Sequence, residues 1–313
     1  MDSDSGDAFR QDRLELATGL LAHPARIDPR FFYDDRGSAL FERITRLPEY
    51  YLTRTELGLL ERQADAIARA IGPIATLIEP GAGNCEKAEL LCTLLHPGRF
   101  IGLDVSSDFL AAAAQRLRRR FPTMEVRSIA ANLRLALPIP ADIPEAGRLL
   151  FYPGSSIGNF EPAAARALLR RLRATAGAHG RLLIGIDLVK DAAVLDAAYN
   201  DSAGVTAAFN RNVLDHLNRV LGSNFEPARW RHRAFFNPAP ARIEMHLETD
   251  APQRVRWPGG QRDFAAGERI HTENSYKYRL TDFHELLRTA GFAPAATWSD
   301  ARAWYALILA EAR

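Results

Sequence analysis

Short apolar runs alternate with helical patterns from about residue 75 onward, and this alternation constrains the fold more than any other feature of the chain. Short apolar strands separated by helices are typical of a parallel sheet that helices cover on both faces. The sequence therefore predicts an open, doubly wound α/β domain. Its five predicted strands lie at 75–80, 99–106, 124–130, 148–155 and 181–188.

The pattern changes between residues 191 and 277. Residues 191–225 are strongly helical, whereas "RIEMHLET" at 242–249 alternates apolar and polar side chains as an antiparallel strand does. The α/β pattern resumes after Tyr278. We therefore predict an α/β domain and a smaller α+β domain. The first comprises residues 55–190 and 278–313, and the second combines residues 8–54 with an insertion at 191–277.

The composition argues against several classes of protein. Forty basic residues face 38 acidic ones, which gives no reason to expect a nucleic-acid partner. No apolar run approaches the roughly 20 residues that a membrane helix needs, and the acidic first residues are unlike a signal peptide. Two cysteines, Cys85 and Cys92, form no disulfide framework, and His246 and His271 have no further ligand at a suitable spacing. We expect a cytoplasmic monomer without a metal.

The segment "LIEPGAGNCEKAELL" at 77–91 is the sharpest local signal. A predicted strand ends at Glu79, turns through Gly81 and Gly83, and enters a helix. Glycines let the backbone turn tightly and let a ligand approach it closely, and the first N–H groups of the helix then face that ligand. This turn predicts a cofactor site, for either a dinucleotide or S-adenosylmethionine (SAM).

A second carboxylate strengthens this prediction. Asp104 ends the next predicted strand, 21 residues after Gly83, which is a suitable distance for one strand–helix–strand unit. A carboxylate at this point can accept hydrogen bonds from both ribose hydroxyls of an adenosine. The alternative is that Asp104 caps the helix after it. A nicotinamide enzyme and a methyltransferase both fit these residues.

The C-terminal segment favours the methyltransferase. Residues 280–313 predict a helix, a strand and a final strand that returns as a hairpin. This arrangement resembles the reversed last strand of class I SAM methyltransferases and is less usual in dehydrogenases. It is an analogy at the level of fold.

Five blocks occur in a fixed order along the chain. They are "FFYDDRGSALFERITRLPEYYLTRTE" (31–56), "EPGAGNCEK" (79–87), "YPGSSIGNF" (152–160), "AYNDSAGVTAAFN" (198–210) and "GERIHTENSYKY" (267–278). Together, over residues 15–313, they resemble the histidine N-alpha-methyltransferase family of ergothioneine biosynthesis. That resemblance implies SAM-dependent trimethylation of the α-amino group of L-histidine, giving hercynine, by a SAM domain and a separate amino-acid-binding domain.

The resemblance also implies which residues contact the cofactor. They are Gly81 and Gly83 of the turn, Lys87 of the following helix and Asp104 at the end of the second strand. The family places an acid beside the adenine after the third strand, where this chain has Asn132. An asparagine can still accept at its carbonyl and donate from its amide.

For the amino acid, the resemblance implies that Asn159 and Tyr199 hold the α-amino and carboxylate groups. Tyr50, Glu273 and Ser275 are implied to bind the imidazole. Imidazole carries one N–H and one acceptor nitrogen, so a carboxylate and hydroxyls suit it. Glu273 and Ser275 are two residues apart, so both point to one face of a strand.

The implied catalytic residues are Tyr33 and Asn159. Attack on the sulfonium methyl group requires a neutral amine, and our hypothesis is that these two side chains orient the deprotonated amine while water takes its proton. Arg36, Gly37 and Ser38, within the same first block, are expected to form a turn.

Three alternatives stay open at this point. The same scaffold can methylate another α-amino acid, such as tryptophan or tyrosine, although Glu273 would match those rings poorly. A nicotinamide-dependent oxidoreductase would keep the glycine-rich turn. A SAM-binding regulatory protein without activity would be expected to lack Tyr33, Asn159 or Glu273, and all three are present.

Overall fold

The computed structural model describes residues 2–313, with side chains from residue 9 onward. Among these residues, no helix combines the length and apolar content needed to cross a membrane. The α-helices are α1 (Asp2–Leu21), α2 (Asp35–Ile44), α3 (Tyr51–Arg62), α4 (Ala64–Ile71), α5 (Glu86–Leu95), α6 (Ser107–Arg120), α7 (Pro162–Ala176), α8 (Ala192–Tyr199), α9 (Val205–Leu221) and α10 (Leu280–Thr289).

Strands and short 3₁₀ helices complete the secondary structure. The 3₁₀ helices lie at Pro29–Phe32, Ser156–Asn159 and Pro227–Arg229. The strands are β1 (Ala25–Arg26), β2 (Thr76–Pro80), β3 (Arg99–Asp104), β4 (Glu125–Ala130), β5 (Arg148–Tyr152), β6 (Arg181–Asp187), β7 (Trp230–Asn237), β8 (Arg242–Thr249), β9 (Gln253–Trp257), β10 (Gly260–Phe264), β11 (Arg269–Tyr276), β12 (Phe292–Ser299) and β13 (Tyr305–Ala312).

The chain divides into two compact units. Unit 1 contains the residues up to Tyr50 together with Asp191–Ser275, and unit 2 contains Tyr51–Lys190 and Tyr276–Arg313. The sequence placed the corresponding crossings after residues 54, 190 and 277. In the structure the first crossing lies between Tyr50 and Tyr51, at the start of α3. Leu59 and Leu60 of this helix pack into a core of unit 2.

Unit 2 is built on a seven-stranded sheet. Its strand order is β12-β13-β6-β5-β2-β3-β4. The five strands from β6 to β4 pair in parallel, and β13 runs antiparallel to both β6 and β12. The predicted doubly wound sheet with a reversed last strand is therefore confirmed.

Successive residues of the central strands enter two separate cores, one on each face of this sheet. Ile78 of β2 packs with Leu168 of α7 and Phe283 of α10. Leu77, its neighbour in β2, packs with Ile67 of α4 on the other face. Burial on both faces explains why these strands read as continuous apolar runs instead of alternating ones.

Unit 1 contains a four-stranded sheet of order β1-β11-β8-β7 and a separate β9-β10 hairpin. The pair β7-β8 is antiparallel, whereas β1 pairs with β11 in parallel. Ile243, Met245 and Leu247 of β8 are completely or almost completely buried, as their alternation predicted. Phe209 and Val213 of α9 are buried as well.

One prediction in the first block was wrong. Arg36, Gly37 and Ser38 do not form a turn but belong to the first turns of α2. The side chain of Asp34 caps this helix by accepting a hydrogen bond from the Gly37 N–H at 2.7 Å. A side chain at Gly37 would place its Cβ 1.7 Å from the Phe32 carbonyl oxygen, so the glycine permits a close backbone approach within a helix.

Candidate active site

The glycine-rich turn and Asp104 lie together at the carboxyl edge of the sheet. Gly81 and Gly83 have φ values of 72° and 51°, in the region that favours glycine. The Gly83 N–H donates to one carboxylate oxygen of Asp104 at 2.9 Å, and the Ser106 N–H donates to the other at 2.9 Å. Each oxygen keeps a lone pair for a ligand hydroxyl, so the geometry suits a ribose. Burial raises the pKa of Asp104 above its ordinary value.

A buried carboxyl group, that of Glu79, lies near the end of β2, two residues before Gly81. Glu79 is 2% exposed, and its Oε2 has no hydrogen-bond partner among the described residues. Burial raises the pKa of Glu79 well above its usual range. A buried polar atom without a partner is costly unless a ligand or water satisfies it. Together with the turn and Asp104, it fits a ligand that carries hydroxyls and an ammonium group, as SAM does.

Lys87 lies in the first turn of α5 and is held by a carboxylate that the sequence interpretation had missed. Glu56 of α3 is 0% exposed and accepts from Lys87 Nζ at 2.5 Å, from the Gly154 N–H at 2.9 Å and from the Tyr305 hydroxyl at 2.8 Å. The helical spacing could have indicated this carboxylate, because Glu56 shares a face of α3 with the buried Leu52, Leu59 and Leu60. A charged residue on an apolar face indicates a buried partner.

Gly185 of β6 makes room for this carboxylate, and we expect Gly185→Ala to destabilise the protein. The added Cβ would lie 2.1 Å from Glu56 Oε1 and 2.4 Å from the Tyr305 hydroxyl oxygen. Overpacking of this kind costs about 1 to 3 kcal/mol of unfolding free energy, measurable by urea denaturation. Gly98→Ala is the matched control, since its Cβ would meet only the Ala75 carbonyl oxygen at 3.6 Å. Equal stability of the two variants would contradict this account.

Asn132 follows β4, and its side chain already makes one bond. The Arg134 N–H donates to Asn132 Oδ1 at 3.0 Å, which leaves the side-chain amide N–H groups as donors. The next residue, Leu133, would lie 3.7 Å from a Cβ at Gly81. The segment after β4 is thus adjacent to the glycine-rich turn, where the sequence placed it.

Asn159 ends the 3₁₀ helix after β5, in a loop that is fixed at several points. The Ser155 hydroxyl accepts from the Asp187 N–H at 2.8 Å. Gly158 packs directly against the backbone of Tyr276, since a Cβ there would lie 2.7 Å from the Tyr276 carbonyl oxygen. These contacts hold the half-buried Asn159 in a defined position within unit 2.

Unit 1 brings three of the predicted tyrosines into one aromatic cluster. Tyr33 packs edge-on against Phe41 and Phe209, with ring centroids 5.7 and 5.9 Å apart. Tyr50 packs edge-on against Phe41 at 6.3 Å and against Tyr199 at 6.2 Å. Aromatic residues of the first block therefore assemble with Tyr199, from α8, in one cluster.

The hydroxyl of Tyr199 connects this cluster to β11. It donates to Ser275 Oγ at 2.8 Å, and both side chains are buried. Glu273, two residues earlier, is 8% exposed. Its backbone carbonyl accepts from His271 Nε2 at 3.0 Å. The structure therefore places Tyr33, Tyr50, Tyr199, Glu273 and Ser275 in the same unit, whereas Asn159 belongs to unit 2.

Tyr51 makes a different set of contacts from its neighbour Tyr50. Its hydroxyl donates to the buried carboxylate of Asp187 at 2.7 Å, and Lys190 and Lys277 pair with the same carboxylate at 2.5 and 2.8 Å. Burial lowers the pKa of Lys190 to about 8. Tyr51, Lys190 and Lys277 each lie at or next to a point where the chain passes from one unit to the other. The sequence interpretation did not identify this carboxylate.

A family model for SAM-dependent, histidine-specific methyltransferases matches residues 11–312. The match covers both units and all the residues placed above. The chain belongs to this methyltransferase family. The assignment decides between the two cofactors that the glycine-rich turn left open, in favour of SAM, and the nicotinamide alternative was wrong.

Two curated relatives are similar to this chain over more than nine tenths of its length. The chain is 40% identical over 305 residues to a histidine N-alpha-methyltransferase from Mycobacterium tuberculosis, covering 95% of this chain and 94% of that protein. It is 31% identical over 314 residues to ergothioneine biosynthesis protein 1 from Neurospora crassa, covering 93% of this chain and 34% of that protein.

The fold is also found in a solved structure of low sequence identity. A protein from Pyrococcus horikoshii, PH0226, superimposes with a TM-score of 0.50 at 11% identity, over 87% of this chain and 98% of that one. This likeness concerns the fold alone.

His232 holds the backbone of Tyr199, a predicted substrate residue of the methyltransferase. Its titration makes the stability of the protein depend on pH. Its Nε2–H donates to the Tyr199 carbonyl at 2.9 Å, and its Nδ1 accepts from Asn210 at 2.9 Å. Burial lowers the pKa of His232, so the folded state holds a neutral ring that the unfolded state protonates below about pH 6.5. We expect His232 alone to lower the free energy of unfolding as the pH drops below 6.5, by at most about 1.4 kcal/mol per pH unit, in addition to the contribution of the other buried histidines whose pKa is lowered.

Urea unfolding at several pH values tests this expectation. His232→Gln should flatten the loss of stability between pH 6.5 and 5, because glutamine can make both hydrogen bonds without titrating. The exposed His179 provides a control, since His179→Gln should keep the slope of the original protein. An unchanged slope in His232→Gln would remove His232 as its source.

Proposed function

We propose that the enzyme transfers methyl groups from SAM to the α-amino group of L-histidine and gives the trimethylated product hercynine. The observation that carries the proposal is the hydrogen bond between Tyr199, a member of the aromatic cluster of unit 1, and Ser275, which lies two residues after Glu273 on β11. The carboxylate of Glu273 and the hydroxyls of Tyr50 and Ser275 match the N–H and the acceptor nitrogen of an imidazole. The named relative at 40% identity supports the same substrate.

In this proposal, unit 2 binds the cofactor and unit 1 binds the amino acid. Gly81, Gly83 and Asp104 hold the adenosine ribose, Asn132 donates to the adenine edge, and Lys87 attracts the one carboxylate of the cofactor. When bound, SAM supplies an activated methyl group on a sulfonium. The chain's own contribution is to position the amine and to exclude water.

Tyr33 and Asn159 are proposed to orient the neutral α-amine, with Tyr199 and Asn159 holding the amino and carboxylate groups. Tyr50, Glu273 and Ser275 bind the ring. Successive methylation turns the amine into a quaternary ammonium, which the faces of nearby tyrosines stabilise through cation–π contacts.

Mass spectrometry of the purified enzyme with SAM and the twenty amino acids tests the proposal. A gain of three methyl groups on histidine alone, with release of S-adenosylhomocysteine (SAH), is the expected result. Methylation of tryptophan or tyrosine instead would establish the alternative substrate. Glu273→Gln sharpens the test, because it should raise the KM for histidine and leave SAH binding unchanged.

Tyr33→Phe is expected to lower turnover about threefold to tenfold, since it removes one hydrogen bond worth roughly 0.5 to 1.5 kcal/mol and keeps the ring packing. Steady-state kinetics with histidine, combined with calorimetric binding of histidine, provide the measurement. Unchanged turnover together with unchanged affinity would reject the role of the hydroxyl.

We further propose that the enzyme works as a cytoplasmic monomer on this small substrate, without a nucleic-acid or membrane partner. The near balance of 40 basic and 38 acidic residues supports the absence of a polyanionic partner. Light scattering coupled to size-exclusion chromatography tests the monomer, and a mass twice that of the chain would refute it.

A further inference from the structure

Three side chains that coordinate metals in many proteins meet on one face of the unit 1 sheet. Glu244 and His246 are two residues apart on β8, so their side chains point to the same face. His271 lies on the adjacent strand β11. One potential ligand atom from each residue lies within 4.8 Å of those from the other two, and Glu244 Oε2 is 3.0 Å from His246 Nε2.

Two of these side chains are oriented by further hydrogen bonds. Glu244 Oε1 accepts from Asn237 Nδ2 at 3.0 Å and from Arg242 Nε at 2.9 Å, which directs Oε2 toward His246. His271 Nε2 donates to the Glu273 carbonyl at 3.0 Å, and its ring also interacts with the Asn274 side chain. Metal-binding histidines usually donate their second ring N–H to a carbonyl or carboxylate in this way.

The ring of His246 is held in place by aromatic stacking. It lies between Phe235, stacked at 5.5 Å and 1°, and His271, stacked at 4.8 Å and 26°. Of its two nitrogens, Nε2 faces the Glu244 carboxylate, and this is the nitrogen that an ion beside Glu244 would take in place of its proton.

We propose that Glu244, His246 and His271 bind a divalent transition-metal ion of the zinc class. Two imidazoles and one carboxylate are a ligand set that Zn²⁺ accepts, with water in the fourth position. Bond lengths near 2.0 to 2.1 Å place tetrahedral ligand atoms about 3.4 Å apart, so the widest pair closes by about 1.4 Å through side-chain rotation.

The neighbouring charges set the strength of this site. Arg242 forms an ion pair with Glu244 at 2.7 Å and thereby reduces the negative charge available to a cation. The ion is therefore bound more weakly than in closed sites with four protein ligands. Because its ligands come from β8 and β11, the bound ion joins two strands and stabilises unit 1 against unfolding.

Titration of metal-free, tag-free enzyme with Co²⁺ and then Zn²⁺, in buffer without free histidine, tests the proposal. We expect one equivalent of Co²⁺ to give visible d–d absorption, Zn²⁺ to displace it, and Zn²⁺ to raise the melting temperature. His246→Gln and His271→Gln should each weaken binding about tenfold or more. His179→Gln, which changes an exposed histidine elsewhere, should bind as the original protein does.

Two results would overturn the site: the absence of stoichiometric Co²⁺ absorption in the original protein, or unchanged binding in both cluster variants. Circular dichroism establishes that each variant is folded. Should a histidine variant fail to fold, Glu244→Gln takes its place, with the same tenfold loss expected. Zn²⁺ that binds one equivalent equally well in all folded variants occupies another position and refutes the assignment.

Discussion

Glu56→Ala is expected to destabilise the enzyme by about 3 to 5 kcal/mol, the range found when one partner of a buried ion pair is removed. Lys87, whose side chain is 18% exposed, would lose its counter-charge. The Gly154 N–H and the Tyr305 hydroxyl would lose their acceptor at the same time. The free energy of unfolding in urea, compared with that of the original protein, gives the measurement.

Two companion variants separate the charge of Glu56 from its position in α3. Glu61→Ala changes an exposed glutamate in the same helix, so it should alter stability by no more than about 0.5 kcal/mol. Glu56→Gln keeps an acceptor for the Gly154 N–H and should cost less than alanine. A loss below about 1 kcal/mol in Glu56→Ala would show that Lys87 and Gly154 do not depend on this carboxylate.

The sheet of unit 2 was predictable because its signals are local. The inner strands β2, β3, β5 and β6 are short apolar runs, and their covered faces make those runs continuous. The edge strand β4 mixes apolar and polar side chains. The hairpin of β12 and β13 was equally clear from residues 292–312. The order of the strands was not predicted, because the right-handed crossover rule sets the hand of each connection and not which strand becomes the neighbour.

The start of α2 shows where local patterns mislead. "DDRGS" has the polar and glycine-rich composition of a turn, yet it forms a capped helix start. The decisive contact is between Gly37 and the Phe32 carbonyl, and composition alone does not indicate how closely two backbone segments approach. A helix cap and a turn use the same residue types.

Contacts between residues that are distant in sequence were predictable only in part. Gly83 and Asp104 follow from the geometry of one strand–helix–strand unit. Tyr199 and Ser275 lie 76 residues apart, and the resemblance implied each as a substrate residue but not the hydrogen bond between them. Neither local spacing nor the resemblance identified Glu56 and Asp187, because their partners come from several elements at once.

Asp104→Ala is expected to weaken SAH binding about a hundredfold. The substitution removes the acceptor proposed for the ribose hydroxyls and also the bond that holds the Gly83 N–H at 2.9 Å. Two hydrogen bonds to a charged acceptor, at about 1.5 kcal/mol or more each, account for that change in Kd. Isothermal titration calorimetry with SAH measures it without requiring turnover.

We expect the loss of SAH affinity to depend on the position of the Asp104 carboxylate and not on the net charge of its surroundings. Asp108→Ala, an exposed acid in the first turn of α6, should bind SAH as the original enzyme does. An SAH analogue that lacks the 2′-hydroxyl should bind the original enzyme more weakly than SAH does. In Asp104→Asn, the analogue and SAH should bind with nearly the same affinity. If the original enzyme binds SAH and its deoxy analogue equally, Asp104 does not hold the ribose, and its role is confined to fixing the glycine-rich turn.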